Sequence, residues 1–236
     1  MLPHLSGLGE RHWKEVILVL RSIIPVYDRV NSAISLGKDV KFRRLGIEGR
    51  ISPKSVVLDA GSGYGNMSRM ALEEAKGELT LIMYDPIIDM LRRAKETFDN
   101  GFSAGLSSGI FEYMPFQNET FDVILCGYSL RDAIHLKQAI SEMHRILRDG
   151  GLLIIVDLGK PDSFMKRVLV SFYLKYLLKV VAYAAAGRKG LKFETLYGTY
   201  LKWPRNSQLK VLLEIFSKVE FRTRLMGGAI IVAAYK

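Results

Sequence analysis

Val56-Val57-Leu58-Asp59-Ala60-Gly61-Ser62-Gly63-Tyr64-Gly65 is the stretch from which the rest of this chain can be read. Two valines and a leucine make a buried parallel strand, an acid closes it, and alternate glycines form a turn that opens backbone N–H groups to a ligand. The spacing is Asp-x-Gly-x-Gly-x-Gly, not the Gly-x-Gly-x-x-Gly of a dinucleotide turn, whose third glycine lets a helix N-terminus approach two phosphates. S-adenosylmethionine (SAM) has no phosphate. It carries a sulfonium cation, a cationic amino-acid tail and an adenosine, and carboxylates suit it. Asp59 is the candidate for the amino-acid end. Asp85, which closes the next apolar run Leu79–Tyr84 and precedes Pro86, is the candidate for the ribose hydroxyls. The cofactor set read here is Asp59, Gly61, Ser62, Gly63, Gly65, Asp85 and Pro86.

Outward from this turn, strands and helices alternate. Strands are expected at Val56–Leu58, Leu79–Tyr84, Phe121–Cys126 and Leu152–Val156, and helices at Ser68–Ala75, Pro86–Phe98 and Leu136–Arg148. Helical spacing is plain in Ile87, Met90, Leu91, Ala94 and in Ile140, Met143, Ile146, Leu147, after which Gly150-Gly151 turns the chain. Val219–Thr223 and Ala229–Ala234 read as a pair of strands around Gly227-Gly228. A parallel α/β sheet with an antiparallel hairpin at its edge is the plan of a Rossmann-like class I methyltransferase, with ligands at the strand carboxyl ends.

The chain has 236 residues, 49% of them apolar, enough for one domain with a full core. One cysteine, Cys126, excludes a disulfide framework, and His4, His12, His135 and His144 show no metal-ligand spacing, so no metal is expected. The expected division is an N-terminal helical cover (1–50), a SAM-binding core (51–160), an apolar and basic helical insertion (161–195) and a C-terminal helix with strands (196–236). Val16–Leu20 is too short for a signal core, so a cytoplasmic location is expected. The net charge of +10 is uneven. Residues 55–159 hold nine Lys/Arg against fifteen Asp/Glu, whereas 160–192 hold eight against one. An acidic core suits a cationic cofactor, and basic flanks suit an anionic surface such as phospholipid headgroups. Ordinary solubilising lysines are the competing explanation.

Phe164–Ala186 reads as one apolar helix with Arg167, Ser171, Lys175 and Lys179 recurring every four residues. Three readings stand: a helix at a membrane surface, a cover over the active site, or a packed helix with snorkelling lysines.

The chain resembles the ubiquinone/menaquinone biosynthesis C-methyltransferases over roughly residues 27 to 235. The resemblance is carried by Tyr27-Asp28-Arg29-Val30-Asn31, Ser35-Leu36-Gly37, the Asp59–Gly65 turn, Asp85 with Met90-Leu91 and Met114-Pro115-Phe116. It continues through Ser129-Leu130-Arg131-Asp132, Glu142–Leu147, Tyr197–Tyr200, Trp203-Pro204 and Met226-Gly227-Gly228-Ala229. It implies a mostly parallel seven-stranded sheet and methylation of the ring of a prenylated quinol, demethylmenaquinol-like, with SAM as cofactor. Three positions depart from the family pattern. Ile110 stands where an adenine-binding Asp is usual, with Glu112 two residues on as a candidate substitute; Phe42 replaces a Trp, and Asp132 an Asn.

A ring carbon becomes nucleophilic when a neighbouring hydroxyl loses its proton. Arg131 is therefore the candidate for stabilising a phenolate, with Tyr128 and Asp132 beside it as catalytic candidates and Tyr128 also against the cofactor. Asp132 could equally cap the helix that follows, and His135 reads as a surface residue. Tyr27, Asn31, Ser129 and Tyr200 are candidates for holding the acceptor. The expected partners are a quinol-type small molecule and an anionic membrane surface, with a homodimer compatible and nucleic acid disfavoured. Methylation of another lipophile or of RNA, or a non-catalytic SAM- or lipid-binding protein, are the alternatives.

Overall fold

The computed structural model describes residues 7–35, 37–98 and 104–236, with the side chains of Tyr27, Asp28, Ile34 and Thr97 outside that description. Helices α1 (Glu10–Ile23), α2 (Tyr27–Ile34) and α3 (Asp39–Ile47) lead. Alternation follows: β1 (Val56–Ala60), α4 (Asn66–Glu74), β2 (Thr80–Tyr84), α5 (Ile88–Phe98), β3 (Ala104–Ser107), β4 (Phe121–Gly127), α6 (Leu136–Ile146) and β5 (Leu147–Leu158). Then α7 (Phe164–Phe172) passes through a π-helical turn, Tyr173–Leu177, into α8 (Leu178–Ala186). The chain finishes with α9 (Thr195–Lys202), α10 (Asn206–Leu212), β6 (Lys218–Arg224) and β7 (Ala229–Tyr235).

The seven strands lie in the order β3-β2-β1-β4-β5-β7-β6, with β7 antiparallel to both neighbours and the first five strands parallel. Period-two alternation sends Leu58, Ile124, Leu153 and Val232 to one face, against Ile140 and Met143 of α6 and Leu209 of α10. Val57, Val123, Leu125 and Ile154 go to the other, against Phe42 of α3, Ala71 of α4 and Leu91 of α5. The strand order reverses at β1 and β4, and the crevice that opens there, beyond the strand carboxyl ends, is where ligands bind in such sheets. Asp59 pairs with Met83 two residues before Asp85, so the two acids stand at neighbouring strand tips.

Three expectations are revised. The short β3 (Ala104–Ser107), carrying a glycine and half-exposed, gave no hydrophobic signal. The helix expected to reach Arg148 stops at Ile146, because Leu147 already pairs with Phe121 and Gly150-Gly151 sits inside an irregular start to β5. The single helix Phe164–Ala186 is interrupted by the π turn. By length and composition alone, the helical run Phe164–Lys202 could cross a membrane. As folded, its inner edge (Leu174, Leu178, Ala182) packs with Ile23, Val30, Phe193 and Tyr200 into a separate cluster. Its outer face leaves Phe164, Met165, Phe172, Tyr176 and Val180 exposed.

Candidate active site

The glycine turn after β1 forms one wall of a cleft lined also by Asp85, Pro86, Ile87, Met90, the Gly109-Ile110-Phe111 segment, Tyr128, Ser129 and Asp132. Trp13, Ile17 and Leu20, spaced to share one face of α1, close it from above. That helix is held in place from both ends. The Leu8 and Gly9 N–H groups donate to the Ala133 and Ile134 carbonyls at 2.8 and 3.0 Å, and the Tyr64 hydroxyl donates to the Ile24 carbonyl at 2.6 Å.

Asp85 is buried, with Oδ2 accepting the Gly63 N–H at 2.9 Å and Oδ1 accepting the Ile87 N–H at 2.8 Å. Each oxygen keeps a further lone pair for a sugar hydroxyl. Asp59 lies beneath the turn. Its Oδ2 takes the Ser68 N–H and hydroxyl at 3.0 and 2.6 Å, while Oδ1 has no hydrogen-bond partner among the described residues, and neither has the buried Ser62 hydroxyl. Asp59, behind the turn, and Ser62 do not line the cleft, so Asp59 acts on a cationic ligand by its charge and by holding the turn, while Asp85 faces the cleft directly. Gly61 has φ +71, and a Cβ there would run into the Ser129 side chain and lie 2.9 Å from Phe111 Cζ. Gly61→Ala is therefore expected to abolish measurable SAM binding in calorimetry and lower the melting temperature.

Burial pushes Asp59 and Asp85 up to about 6 and Asp132 to about 7, Arg131 opposing the last shift. Folding thus favours their protonated forms over the ordinary value of 3.8. For these groups the apo protein loses stability as pH rises from about 4 through 6 or 7. A cationic ligand draws the ionised forms, so SAM affinity is expected to rise by about tenfold or more between pH 5 and 7. Thermal shifts with and without SAM across that range check both signs.

A second cavity, of about 350 Å³, lies beyond Tyr128. Its walls are apolar: Leu169, Phe172, Tyr173, Leu174 and Leu177 around the π turn, with Leu158, Leu196, Leu225 and Met226. Its polar end carries Asn31, Ser35, Asp39, Tyr128 and Arg131. Asn31 Nδ2 is buried with no partner among the described residues, a donor available to a ligand. Arg131 Nη1 bonds Asp157 Oδ1 at 2.6 Å, both groups being buried. A minor cavity joins Asn31, Arg131 and Asp132.

The structure gathers Gly61, Gly63, Asp85, Pro86, Tyr128, Ser129 and Asp132 at the first cleft, and Asn31, Tyr128 and Arg131 at the second. Ser129 thus stands on the cofactor side, not the acceptor side, its hydroxyl donating to the Ala60 carbonyl at 3.0 Å. Gly65 is a packing position, where a Cβ would come within 2.6 Å of Phe98. Glu112 does not line the cleft; its Oε1 accepts the His135 N–H at 2.9 Å, so the adenine side is left to backbone and apolar surface. Tyr200 is fully buried in the helical cluster and lines neither cavity. Asp132 does not cap α6, whose N-cap is the exposed His135. Tyr27 opens α2, but its side chain lies outside the described residues, as do His4 and Leu36. Trp13, Ile17, Leu20 and Asp39 join the site unannounced by any motif, and Ser35 joins it from the Ser35-Leu36-Gly37 segment without having been read as a site residue. The i, i+4, i+7 spacing of the first three was the available signal.

A model described as the ubiE/COQ5 methyltransferase family matches residues 8–236. The ubiquinone/menaquinone biosynthesis C-methyltransferase UbiE of Geotalea uraniireducens is 24% identical over 196 residues, covering 81% of this chain and 83% of that protein. The demethylmenaquinone methyltransferase of Bacteroides fragilis is 26% identical over 230 residues, covering 94% and 93%. Among solved structures, a SAM-dependent methyltransferase of Thermotoga maritima, titled a possible histamine N-methyltransferase, has a TM-score of 0.61 at 17% identity, covering 92% of this chain and 98% of that one. The CurJ carbon methyltransferase gives the same TM-score and identity, covering 92% and 62%. With its fold, its cleft and a family match along nearly its whole length, this chain is a SAM-dependent methyltransferase and belongs to the ubiE/COQ5 methyltransferase family.

Proposed function

We propose that the enzyme methylates a ring carbon of a prenylated quinol precursor, demethylmenaquinol-like, in quinone biosynthesis. The observation that carries this reading is the shared wall: Tyr128 lines both the carboxylate-flanked cleft and the large apolar cavity with a polar end. A quinol head with an isoprenoid tail has that distribution of polar and apolar surface. The names of the relatives agree with it.

When bound, SAM supplies an electrophilic methyl group to the ring carbon. Positioning by the two cavities provides much of the rate. Asn31 donates to a ring oxygen, and Arg131, held by Asp157, stabilises the negative charge that builds there. The hydroxyl proton whose loss frees that charge passes to water, and Asp132, half-buried, raised to about 7 and joined to Asn31 and Arg131 by the minor cavity, receives the displaced ring proton. The test is incubation with methyl-labelled SAM and reduced demethylmenaquinol. Labelled product is expected, and no transfer to that acceptor overturns the reading.

The same reading has the enzyme work in the cytoplasm at the inner, anionic membrane face. Phe164 and Met165 are 71% and 81% exposed at the start of α7, the helix whose Leu169 and Phe172 line the acceptor cavity, and Lys166, Lys175 and Lys179 are exposed along the same helical run. Phe164→Glu/Met165→Glu is expected to cut cosedimentation with anionic vesicles severalfold and leave SAM affinity unchanged. Wild-type protein that stays in the supernatant contradicts the membrane part.

A further inference from the structure

Tyr128 stands in an uncommon conformation. Its φ is +61, a left-handed value that a non-glycine residue adopts at a cost, and such strain collects at functional sites. Its backbone is fixed by the N–H donating to the Val156 carbonyl at 2.7 Å. Its ring lies beneath Arg43, whose guanidinium carbon is 4.8 Å from the ring centroid, with that of Arg131 farther off at 6.0 Å. Burial pushes the Tyr128 phenol above its ordinary range, so the ring stays neutral beneath that cation.

Arg43 is itself held. It is 4% exposed, its Nη1 meets Asp39 Oδ2 at 2.7 Å, and its Nε has no partner among the described residues. Asp39 in turn accepts the Ser35 hydroxyl at 3.1 Å and lines the acceptor cavity together with Ser35. An arginine that lines neither cavity is thus buried at the cost of its hydration and meets the residue shared by both. Lysine could hold the same charge near Asp39 but not present a planar face to the ring.

We infer that Arg43 is a positioning residue: braced by Asp39, it fixes the Tyr128 ring between the cofactor cleft and the acceptor cavity, and with it the opening through which the methyl group passes. The inference rests on the two-cavity reading above. It predicts that rate is lost while SAM binding is kept, because misplacing reacting groups by about 1 Å costs on the order of a hundredfold.

The variants are Asp39→Asn/Arg43→Gln, which avoids a lone buried charge, with Arg43→Lys, Tyr128→Leu and the combination of Tyr128→Leu with the first pair. Single-turnover methyl transfer to demethylmenaquinol at saturating acceptor is expected to fall about thirtyfold in the first variant, with SAM Kd within about threefold of wild type. Arg43→Lys should recover part of that loss, and adding Tyr128→Leu to the pair should cost little beyond Tyr128→Leu alone. A second readout needs no acceptor: in protein with 13C-labelled tyrosine, the Tyr128 ring resonance is expected to be sharp in wild type and averaged in Asp39→Asn/Arg43→Gln. An unchanged ring signal, additive losses in the combination, or a rate within twofold of wild type overturns the inference. A wild-type enzyme inert toward demethylmenaquinol instead defeats the acceptor assignment, and the ring signal then decides the Arg43 inference by itself.

Discussion

Asp85→Ala is expected to weaken SAM binding by at least about a hundredfold, because two hydrogen bonds from sugar hydroxyls to one buried carboxylate contribute about 1.5–3 kcal/mol each. The loss has a second source. Asp85 also accepts the Gly63 and Ile87 N–H groups, at 2.9 and 2.8 Å, so its removal loosens the glycine turn and the start of α5 together. Asp85→Asn keeps one acceptor oxygen and should lose less. It should also flatten the Asp85 contribution to the pH dependence of affinity, since the titrating group raised to about 6 is gone. Calorimetric titration separates these cases. A Kd within threefold of wild type in Asp85→Ala would mean the ribose is held elsewhere.

Asp157→Ala is expected to be the most destabilising single change near the site. It leaves the buried Arg131 without the carboxylate that Nη1 meets at 2.6 Å, and removes the acceptor for the Leu158 N–H at 2.7 Å. Breaking such a buried pair costs about 3–5 kcal/mol, which for a domain of this size lowers the melting temperature by roughly 10 °C. Arg131→Met is expected to lower kcat by about a hundredfold to a thousandfold through loss of charge stabilisation. Arg131→Met/Asp157→Leu separates the two effects: replacing the pair by apolar groups restores stability but not turnover. Recovery of turnover in that double variant would remove Arg131 from the chemistry.

What the sequence disclosed and what it hid divide along a physical line. Asp59, the glycines and Asp85 are legible because a parallel strand buried on both faces must be apolar throughout, so an acid at its tip stands out. The hairpin and the helices α5 and α6 are legible from periodicity alone. The acceptor cavity is not, since its walls come from residues 31–42, 128–131, 158–177, 196 and 225–229, which only the tertiary fold assembles. Glu112 shows the limit at closer range. It lies two residues from Ile110, yet its side chain turns to the start of α6, and side-chain direction in an irregular loop has no period to betray it. Tyr200 misleads because an aromatic beside a family motif is as readily core as contact, and here it is core. The left-handed backbone of Tyr128 leaves no trace in composition, for the residue is not one that favours it.

The site as a whole is two unlike solvents joined at one ring. On one side, carboxylates beneath and beside a glycine turn suit a compact cation, and on the other an apolar chamber ends in Asn31, Asp39 and Arg131. Transfer across that junction is the central claim, and the destination of the methyl group tests it most directly. Carbon-13 NMR of the product formed from 13C-methyl SAM and reduced demethylmenaquinol should show the label as a methyl on ring carbon, formed by wild type and nearly absent with Arg131→Met. Label on oxygen, or an equal yield from that variant, would contradict the account.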